Sequence, residues 1–541
     1  MTAQEGILLA EEAEENGEAT TNGFDPETDP ASCDPAIRET FLDDIACGVD
    51  TGFGPVSSWF GSVIFWGPEV NEQSLMIVVI WSILAAIGFT IYFKAIQFTG
   101  FKVALEIVRG KYSRKDDPGE VSHFQALTSA LSATVGLGNI GGVAAAVTLG
   151  GPGAAFWMVI FGLFGMCTKF VECTLGVKYR YIDEDGVVHG GPFQYLKHAF
   201  KKLGKVPTAI ITGIFAIALI LFGIGGGGMY QTNQTMTQAR EVSNTYFEGT
   251  GLADFLNSTA GAFVIGIIFA GLVGLVIIGG IKSIGKVTAT LVPAMAIVYV
   301  VGALIVVIAN IDQVPRAFGE IITGAFGHDA VAGGILGIIF LGAQRAAFSN
   351  EAGIGSAPIA HAAVKTRRPA SEGFVAALEP FIDTVVVCTM TALVIIIASP
   401  NYVVGEAGGV EVTSAGFATV MSWFPAVLMV AVALFAFSSI VTWSYYGTQA
   451  WRYLFGKSPV KDTIFRAIVL IFVVMGCLTS FGSILEFADA ALFLCIFINV
   501  VGLVILAPKV KAEVNQYLAD RKAGRLMEDP EPLEDEKALN R

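Results

Sequence analysis

Apolar residues in this chain do not alternate with polar ones. They gather in runs of about twenty or more, divided by short charged connectors. Such runs fall at roughly 74–98, 124–149, 153–176, 206–230, 261–281, 286–309, 331–348, 373–398, 420–447, 464–485 and 488–508. Each is long enough to cross the roughly 30 Å hydrocarbon layer of a bilayer as a helix. The pattern predicts an all-α multispanning membrane protein with about 11 transmembrane helices, and Tyr, Trp and Phe near several ends suit interfacial anchoring.

Two of these runs are interrupted. In the second, Gly136, Gly138, Gly141 and Gly142 stand near the middle of the span, with Asn139 between them. Glycine disfavours a helix interior. Unwound backbone at membrane depth is tolerated only against protein, water, ions or a solute. The seventh run passes through Gly342-Ala-Gln-Arg-Ala-Ala-Phe-Ser-Asn-Glu-Ala-Gly-Ile-Gly-Ser-Ala-Pro358, placing Arg345 and Glu351 in or close to the apolar slab. Charges at that depth face the bundle or a water path and pair with each other or with backbone. The two interrupted spans are five apart. Two halves of five, each opening on a broken helix, give a 5+5 inverted-repeat transporter core with two discontinuous helices.

Composition agrees. Charged residues make up only 15% of the chain, against about 25% in soluble domains, and mean hydropathy is +0.65. With the N-terminus outside, the connectors on the inner side hold nearly all Lys and Arg, and the outer ones hold only Arg38, Arg240 and Arg316. The positive-inside rule then puts the N-terminus outside and the C-terminus inside the membrane. The net charge of −14 offers no electrostatic case for nucleic acid. Residues 1–50 carry fourteen acidic residues against Arg38, and 1–60 reads as an acidic outer arm with a short surface helix within Thr40 to Phe60. Residues 61–122 hold the first span and an inner loop, 123–510 the transporter core, and 511–541 an inner tail whose Arg521 to Lys537 reads as a polar helix that frays. Cys33 and Cys47 both fall outside, where a disulfide is one alternative and free thiols the other; the remaining cysteines read as small apolar residues. The five histidines are scattered near span ends or in loops, with no metal-ligand spacing. No Gly-rich loop precedes Lys-Ser/Thr, so a gradient and not ATP would drive transport.

Two further stretches face the breaks. Gly225-Gly-Gly-Gly-Met-Tyr-Gln231 ends the fourth run and leaves space beside Tyr230 and Gln231. Ser438, Ser439, Thr442 and Ser444 on the ninth run offer hard oxygen ligands that suit sodium. With no Asp or Glu between Val121 and Val171, the second span meets a carboxylate with amides and a helix dipole, which favours a zwitterionic solute.

The motifs Gly136-Leu-Gly-Asn-Ile-Gly-Gly142, Leu149-Gly-Gly-Pro-Gly-Ala-Ala-Phe-Trp-Met158, Gly190-Gly-Pro, Gly279-Gly-Ile-Lys-Ser-Ile-Gly-Lys, Phe348-Ser-Asn-Glu-Ala-Gly-Ile-Gly-Ser-Ala-Pro-Ile359 and Trp443-Ser-Tyr-Tyr-Gly447 occur in order across roughly 60–510. This resembles the alanine/glycine:cation symporter family, the sodium:alanine symporters. The resemblance implies a leucine-transporter-type fold and sodium-coupled uptake of alanine and glycine. It implies no enzyme activity, organic cofactor or obligatory protein partner. It places substrate contacts near Thr134, Gly136, Gly138, Asn139, Gln231 and Trp443, with the seventh span adding Phe340, Gln344 and Phe348. Asn139 and the glycine amides would meet the carboxylate, Gln231 would orient the solute and Trp443 would limit its size. Sodium would sit between backbone at Thr134 and Leu137 and the side chains of Ser438, Ser439 or Thr442. The rival reading is a cation-coupled carrier of another small solute, such as a nucleobase or a larger amino acid.

Overall fold

The computed structural model describes residues 33, 40–70, 73–184, 186–277, 280–327, 334–398 and 408–531. Most of the acidic arm, residue 278 with the first glycine of the glycine-lysine motif, and the last ten residues lie outside them. Among the described residues the regular structure is helical, apart from two small hairpins of two-residue strands.

The main helices, in chain order, are α1 (Phe41–Ile64), α2 (Ile77–Tyr92), α3 (His123–Thr134), α4 (Gly141–Gly150), α5 (Gly153–Lys178), α6 (Lys205–Ile224) and α7 (Tyr230–Tyr246). They continue with α8 (Thr259–Ile277), α9 (Gly280–Ala309), α10 (Gly334–Asn350), α11 (Ala357–His361), α12 (Pro369–Ala376), α13 (Thr389–Ala398), α14 (Phe424–Phe455), α15 (Pro459–Gly476) and α16 (Phe481–Lys522). Among the described residues, seven helices are long and apolar enough to cross a membrane, or eight if α3 and the segment Leu137–Gly150, which meet at 58°, form one broken span. These account for seven or eight of the eleven expected spans. The other three apolar runs do fold as helices. However, α2 has 16 residues and α10 has 17, and α15 begins with Lys461, Asp462 and Arg466 in its first turns.

The boundaries moved where glycine or an apolar turn misled the hydropathy pattern. Gly225–Met229 is a π-helical turn joining α6 to α7. The fourth run therefore does not end there, and the helix continues through polar residues to Tyr246. The tenth and eleventh runs divide at Cys477–Ser480, earlier than 485–488, because Cys477-Leu-Thr is apolar enough to look continuous with both neighbours. At the C-terminus the helix ends at Lys522, and residues 523–531 fold back without helix instead of fraying from a longer one.

The described part of the arm is ordered. Thr40 caps α1 through reciprocal bonds with Asp43, and the helix lies against the start of α16. Ser57 Oγ donates to the Ser483 carbonyl at 2.7 Å, Asp50 accepts the Ser480 N–H at 2.8 Å, and Phe53 and Phe60 pack on Phe487. The open question at Cys33 is resolved, since it is bonded to Cys47. At the other end of the 42-residue α16, roughly 60 Å away, the basic loops converge. Arg180 donates to the carbonyls of Pro118, Ala362, Val364 and Thr366. Arg368 binds Asp520 at 2.6 Å and the carbonyls of Arg525, Leu526 and Glu528.

Candidate functional site

The break in the second span lies at Val135–Ile140, where α3 stops, Leu137–Asn139 makes one 3-10 turn and α4 leaves in a new direction. Its backbone is held by side chains. Gly136 N–H donates to Asn139 Oδ1 at 2.8 Å, Leu137 N–H to Gln231 Oε1 at 3.4 Å, and the Tyr230 hydroxyl to the Leu137 carbonyl at 3.3 Å. Gln231 in turn donates to the Gly226 carbonyl at 3.0 Å, within the π-turn. π-turns of this kind gather at functional sites. The glycines allow the approach. A Cβ on Gly136 would stand 2.7 Å from Ser439 Oγ, and one on Gly138 would touch the Phe348 ring at 3.4 Å.

Phe348, Tyr230 and Phe222 form an aromatic wall, with ring centroids 5.0 and 6.0 Å from Phe348. Trp443 joins through Phe222 at 4.7 Å and lies across Gly227. Its indole N–H donates to Glu351 at 2.9 Å, and Glu351 also accepts from Ser356 at 2.6 Å. Thr134, Gly136, Gly138, Asn139, Gln231, Phe348 and Trp443 are thus gathered in one region, all buried. Phe340 is buried two turns earlier on α10. Gln344 is not brought to the group; its amide turns to Met76 Sδ at 3.2 Å, at the start of α2.

The sodium candidates converge on a residue the sequence reading passed over. Ser439 Oγ donates to the Ser132 carbonyl at 3.0 Å, Thr442 Oγ1 to Ser132 Oγ at 3.0 Å, and Ser132 Oγ to the Ser438 carbonyl at 2.9 Å. The Ser438 hydroxyl turns back to Phe435, Thr134 Oγ1 to Leu131, and the Leu137 carbonyl is already taken by Tyr230. Ser439, Thr442 and Ser132 therefore make the oxygen crossing, and Ser438 contributes its carbonyl.

Asp383 was also missed, although an acid inside an apolar run is itself the signal. It sits in a second π-helical segment, Phe381–Cys388. Its carboxylate accepts from Asn139 Nδ2 at 2.6 Å, Ser349 Oγ at 2.5 Å and Thr384 Oγ1 at 2.9 Å. Asn139 is thus occupied at both ends, with its oxygen on the Gly136 amide and its nitrogen on Asp383. Among the described residues the partners of Asp383 are all neutral, and a buried carboxylate in such company favours a cation.

The second break follows Asn350. Glu351, Gly353 and Gly355 have φ of 55°, 89° and 88°, and only the five-residue α11 resumes the helix. Arg345 and Glu351 do not pair with each other: Arg345 pairs with Asp489 and lies over Phe348. Nor are all the histidines scattered. His123 and His361 both bind Glu372, His361 also binds Glu379, and Lys169 lies 3.0 Å from Glu379 and 3.9 Å from Glu172. Glu172 accepts the Gly355 N–H at 3.2 Å. A buried network of ionisable groups therefore backs the second break.

The sodium:alanine symporter family profile matches residues 64–531. The chain is 35% identical to the sodium/alanine symporter AgcS of Methanococcus maripaludis, over 84% of this chain and 96% of that one. It is 33% identical to the probable sodium/glutamine symporter GlnT of Bacillus subtilis, over 84% and 90%, and 35% identical to the amino-acid carrier protein AlsT of the same organism, over 82% and 90%. The solved structure of MhsT in complex with L-phenylalanine aligns over 71% of this chain at 17% identity and a TM-score of 0.49, a likeness too slight to argue from. Profile and relatives agree over nearly the whole helical region: the chain belongs to the sodium:alanine symporter family, multi-pass transporters of the inner membrane that move small amino acids with sodium and are not enzymes.

Proposed function

We propose that this protein imports alanine and glycine with sodium, binding the solute where α3 gives way to α4. The observation that carries this reading is the unwound Gly136–Asn139 segment. It is enclosed by Gln231, Phe348 and Trp443 and lies against the oxygen crossing of Ser132, Ser439 and Thr442. Backbone amides at a helix break suit the carboxylate of a zwitterion. The crossing suits sodium. Asp383, reached through Asn139 and Gly136, supplies a fixed negative charge that helps retain a cation nearby.

The architecture that goes with this reading has eleven spans, with a peripheral first helix followed by two inverted halves that open on the broken helices. The short α2, α10 and α15 complete that count. The basic loops lie inside the cell, so the N-terminus is outside and the C-terminus inside; the disulfide between Cys33 and Cys47 supports an oxidising outer side.

Uptake of labelled alanine into proteoliposomes should require an inward sodium gradient. Equal uptake when potassium replaces sodium, without proton coupling, would reject the reading. The relative named as a probable glutamine symporter favours a larger neutral amino acid as the second reading. A counterflow panel of glycine, alanine, glutamine, leucine and a nucleobase separates the two.

A further inference from the structure

The ends of the two broken spans that reach the basic loops are fastened to each other. The segment before α3 and the segment after α11 run side by side, with Val121 and Val364 paired in parallel. The Glu120 and Val121 N–H groups donate to the Ala363 carbonyl at 2.7 and 3.1 Å, Lys365 N–H to the Val121 carbonyl at 2.8 Å, and Thr366 N–H to the Pro118 carbonyl at 3.2 Å. Arg180, just beyond the end of α5, closes the same seam by donating to the carbonyls of Pro118, Ala362, Val364 and Thr366. We propose that this seam is the inner gate of the transporter and that Arg180 is its latch, released each time the solute leaves toward the cell interior. The proposal rests on the transport reading and its orientation, and assigns the contact that must move.

The local sequence is built for this closeness. Gly119 has φ of 142°, and a Cβ there would stand 2.2 Å from the Val364 carbonyl oxygen. A Cβ on Gly190, in the Gly190-Gly-Pro motif, would stand 2.3 Å from Ala362 Cβ and 3.1 Å from Arg180 Cβ. That motif has no part in the solute site; here it lets its segment lie against both the seam and the latch. Val121, Ala126, Val177, Ala363 and Val364 form a small apolar plug at the same level. The chemistry of the latch suits a contact that must break. All four acceptors are main-chain carbonyls, and water replaces the guanidinium on each when the seam parts. A buried pair with a carboxylate would resist separation.

Behind the seam lies the way to the first break. Glu372 binds both His123, the first residue of α3, and His361, the last residue of α11. Deeper still, Cys173 packs with Ala130 of α3, Ala357 of α11 and Ala376 of α12, and it is fully buried. Ala130 is little more than one turn from Val135, where the first span unwinds. Parting the seam draws the end of α3 away from α11 and admits water along this column as far as Cys173.

The test uses Cys173 as a native reporter. The purified full chain in sodium is treated with a hydrophilic maleimide, and the labelled cysteines are located by peptide mass mapping. Arg180→Gln should raise the labelling rate of Cys173 about tenfold or more, the scale of one lost hydrogen bond to a charged group. Cys477, buried at the far end of α15, should keep the parent's rate. Arg180→Lys should fall between, because an ammonium has three donors for four carbonyls. A second variant, Val121→Cys/Val364→Cys, serves should Arg180→Gln misfold. Joining its two thiols by oxidation should abolish sodium-driven alanine uptake in proteoliposomes, retain equilibrium binding of labelled alanine, and be reversed by reduction. Cys173 labelling at the parent's rate, labelling that rises equally at Cys477, or undiminished uptake by the cross-linked chain overturns the gate and leaves the solute site standing. A parent without sodium-driven uptake sinks the transport reading instead.

Discussion

The two helix breaks are held by opposite chemistry. The first, at Val135–Ile140, is tied down by neutral groups on Gln231, Tyr230, Ser439 and Asn139, with one carboxylate, Asp383, behind them. The second, at 351–356, is ringed by ionisable groups. Glu351 takes Trp443 and Ser356, while Glu172 takes Gly355 and leads to Lys169, Glu379, His361 and Glu372. Neutral hydrogen bonds exchange readily with a solute that brings its own charges. Buried ion pairs do not, because separating them exposes a charge to low dielectric. The first break therefore reads as the contact for cargo, and the second as the stiff partner against which it works.

On that contrast, the largest effect of a substitution should come from the ionisable side and should appear as stability. Lys169→Met leaves Glu172 and Glu379 facing each other without their cation. Breaking a buried pair costs about 3–5 kcal/mol, and thermal unfolding in detergent should fall accordingly. The double variant Lys169→Met/Glu379→Gln should recover part of the loss. A melting temperature near the parent's would show that the network is not a rigid support.

On the neutral side the expected loss is in binding. Asn139→Ala removes the acceptor of the Gly136 amide and the donor to Asp383. At about 1–2 kcal/mol for each of two such bonds, alanine affinity at fixed sodium should drop by about 2–4 kcal/mol. Melting in the absence of solute should move less than for Lys169→Met. Unchanged alanine affinity would remove Asn139 from the cargo side of the comparison.

The sequence made one break more legible than the other for a physical reason. Glycine clusters and Asn139 in an apolar run announce an interruption by themselves, and five of the residues drawn to it, Gly136, Gly138, Gln231, Ser439 and Phe348, do meet there. The network of ionisable groups is assembled from residues far apart in the chain. Lys169, Glu172, Glu372 and Glu379 each look like isolated charges in apolar runs, and only packing reveals their pairing. Ser132 and Asp383 were hidden in the same way. Gln344 shows the converse error, since residence on the right helix does not fix which face a side chain takes. Helix ends were legible only where charge or glycine marked them; the apolar turn at Cys477–Ser480 carries no such mark.

Trp443 touches both regions, so it can sharpen the comparison. Its ring joins the aromatic wall while its N–H reaches Glu351. Trp443→Ala should open the wall and raise the ratio of leucine to alanine binding, by an amount within the roughly 1–3 kcal/mol that size discrimination in an apolar pocket provides. Trp443→Phe keeps a ring but drops the bond to Glu351. If the wall sets selectivity, the phenylalanine variant should keep the parent's ratio and lose mainly stability. A ratio that shifts equally in both variants would make the Glu351 contact, and not ring volume, the determinant.

The smallest effect should come from the exposed ions at the basic face, where Arg114 and Arg367 share Asp529 and Arg521 binds Glu106. Solvent screens such pairs, and exposed ones contribute little. Arg114→Ala/Arg367→Ala should change alanine uptake less than about twofold. The pH response has a definite sign. Bonds from Tyr112 and Lys111 hold Glu106 down at about 2, below its ordinary 4.5, and Arg367 likewise holds Asp529 low. Groups lowered by folding stabilise above their ordinary pKa and lose that contribution as pH falls through the folded value. The 511–531 segment should therefore stay docked from pH 8 to pH 5, with unchanged hydrogen-exchange protection relative to the intrinsic rate at each pH. It should loosen in 1 M salt, where the Debye length shrinks to about 3 Å. Protection that falls between pH 8 and pH 5 would show that these carboxylates do not hold the tail, and the ionisable side of the molecule would then end at Glu372.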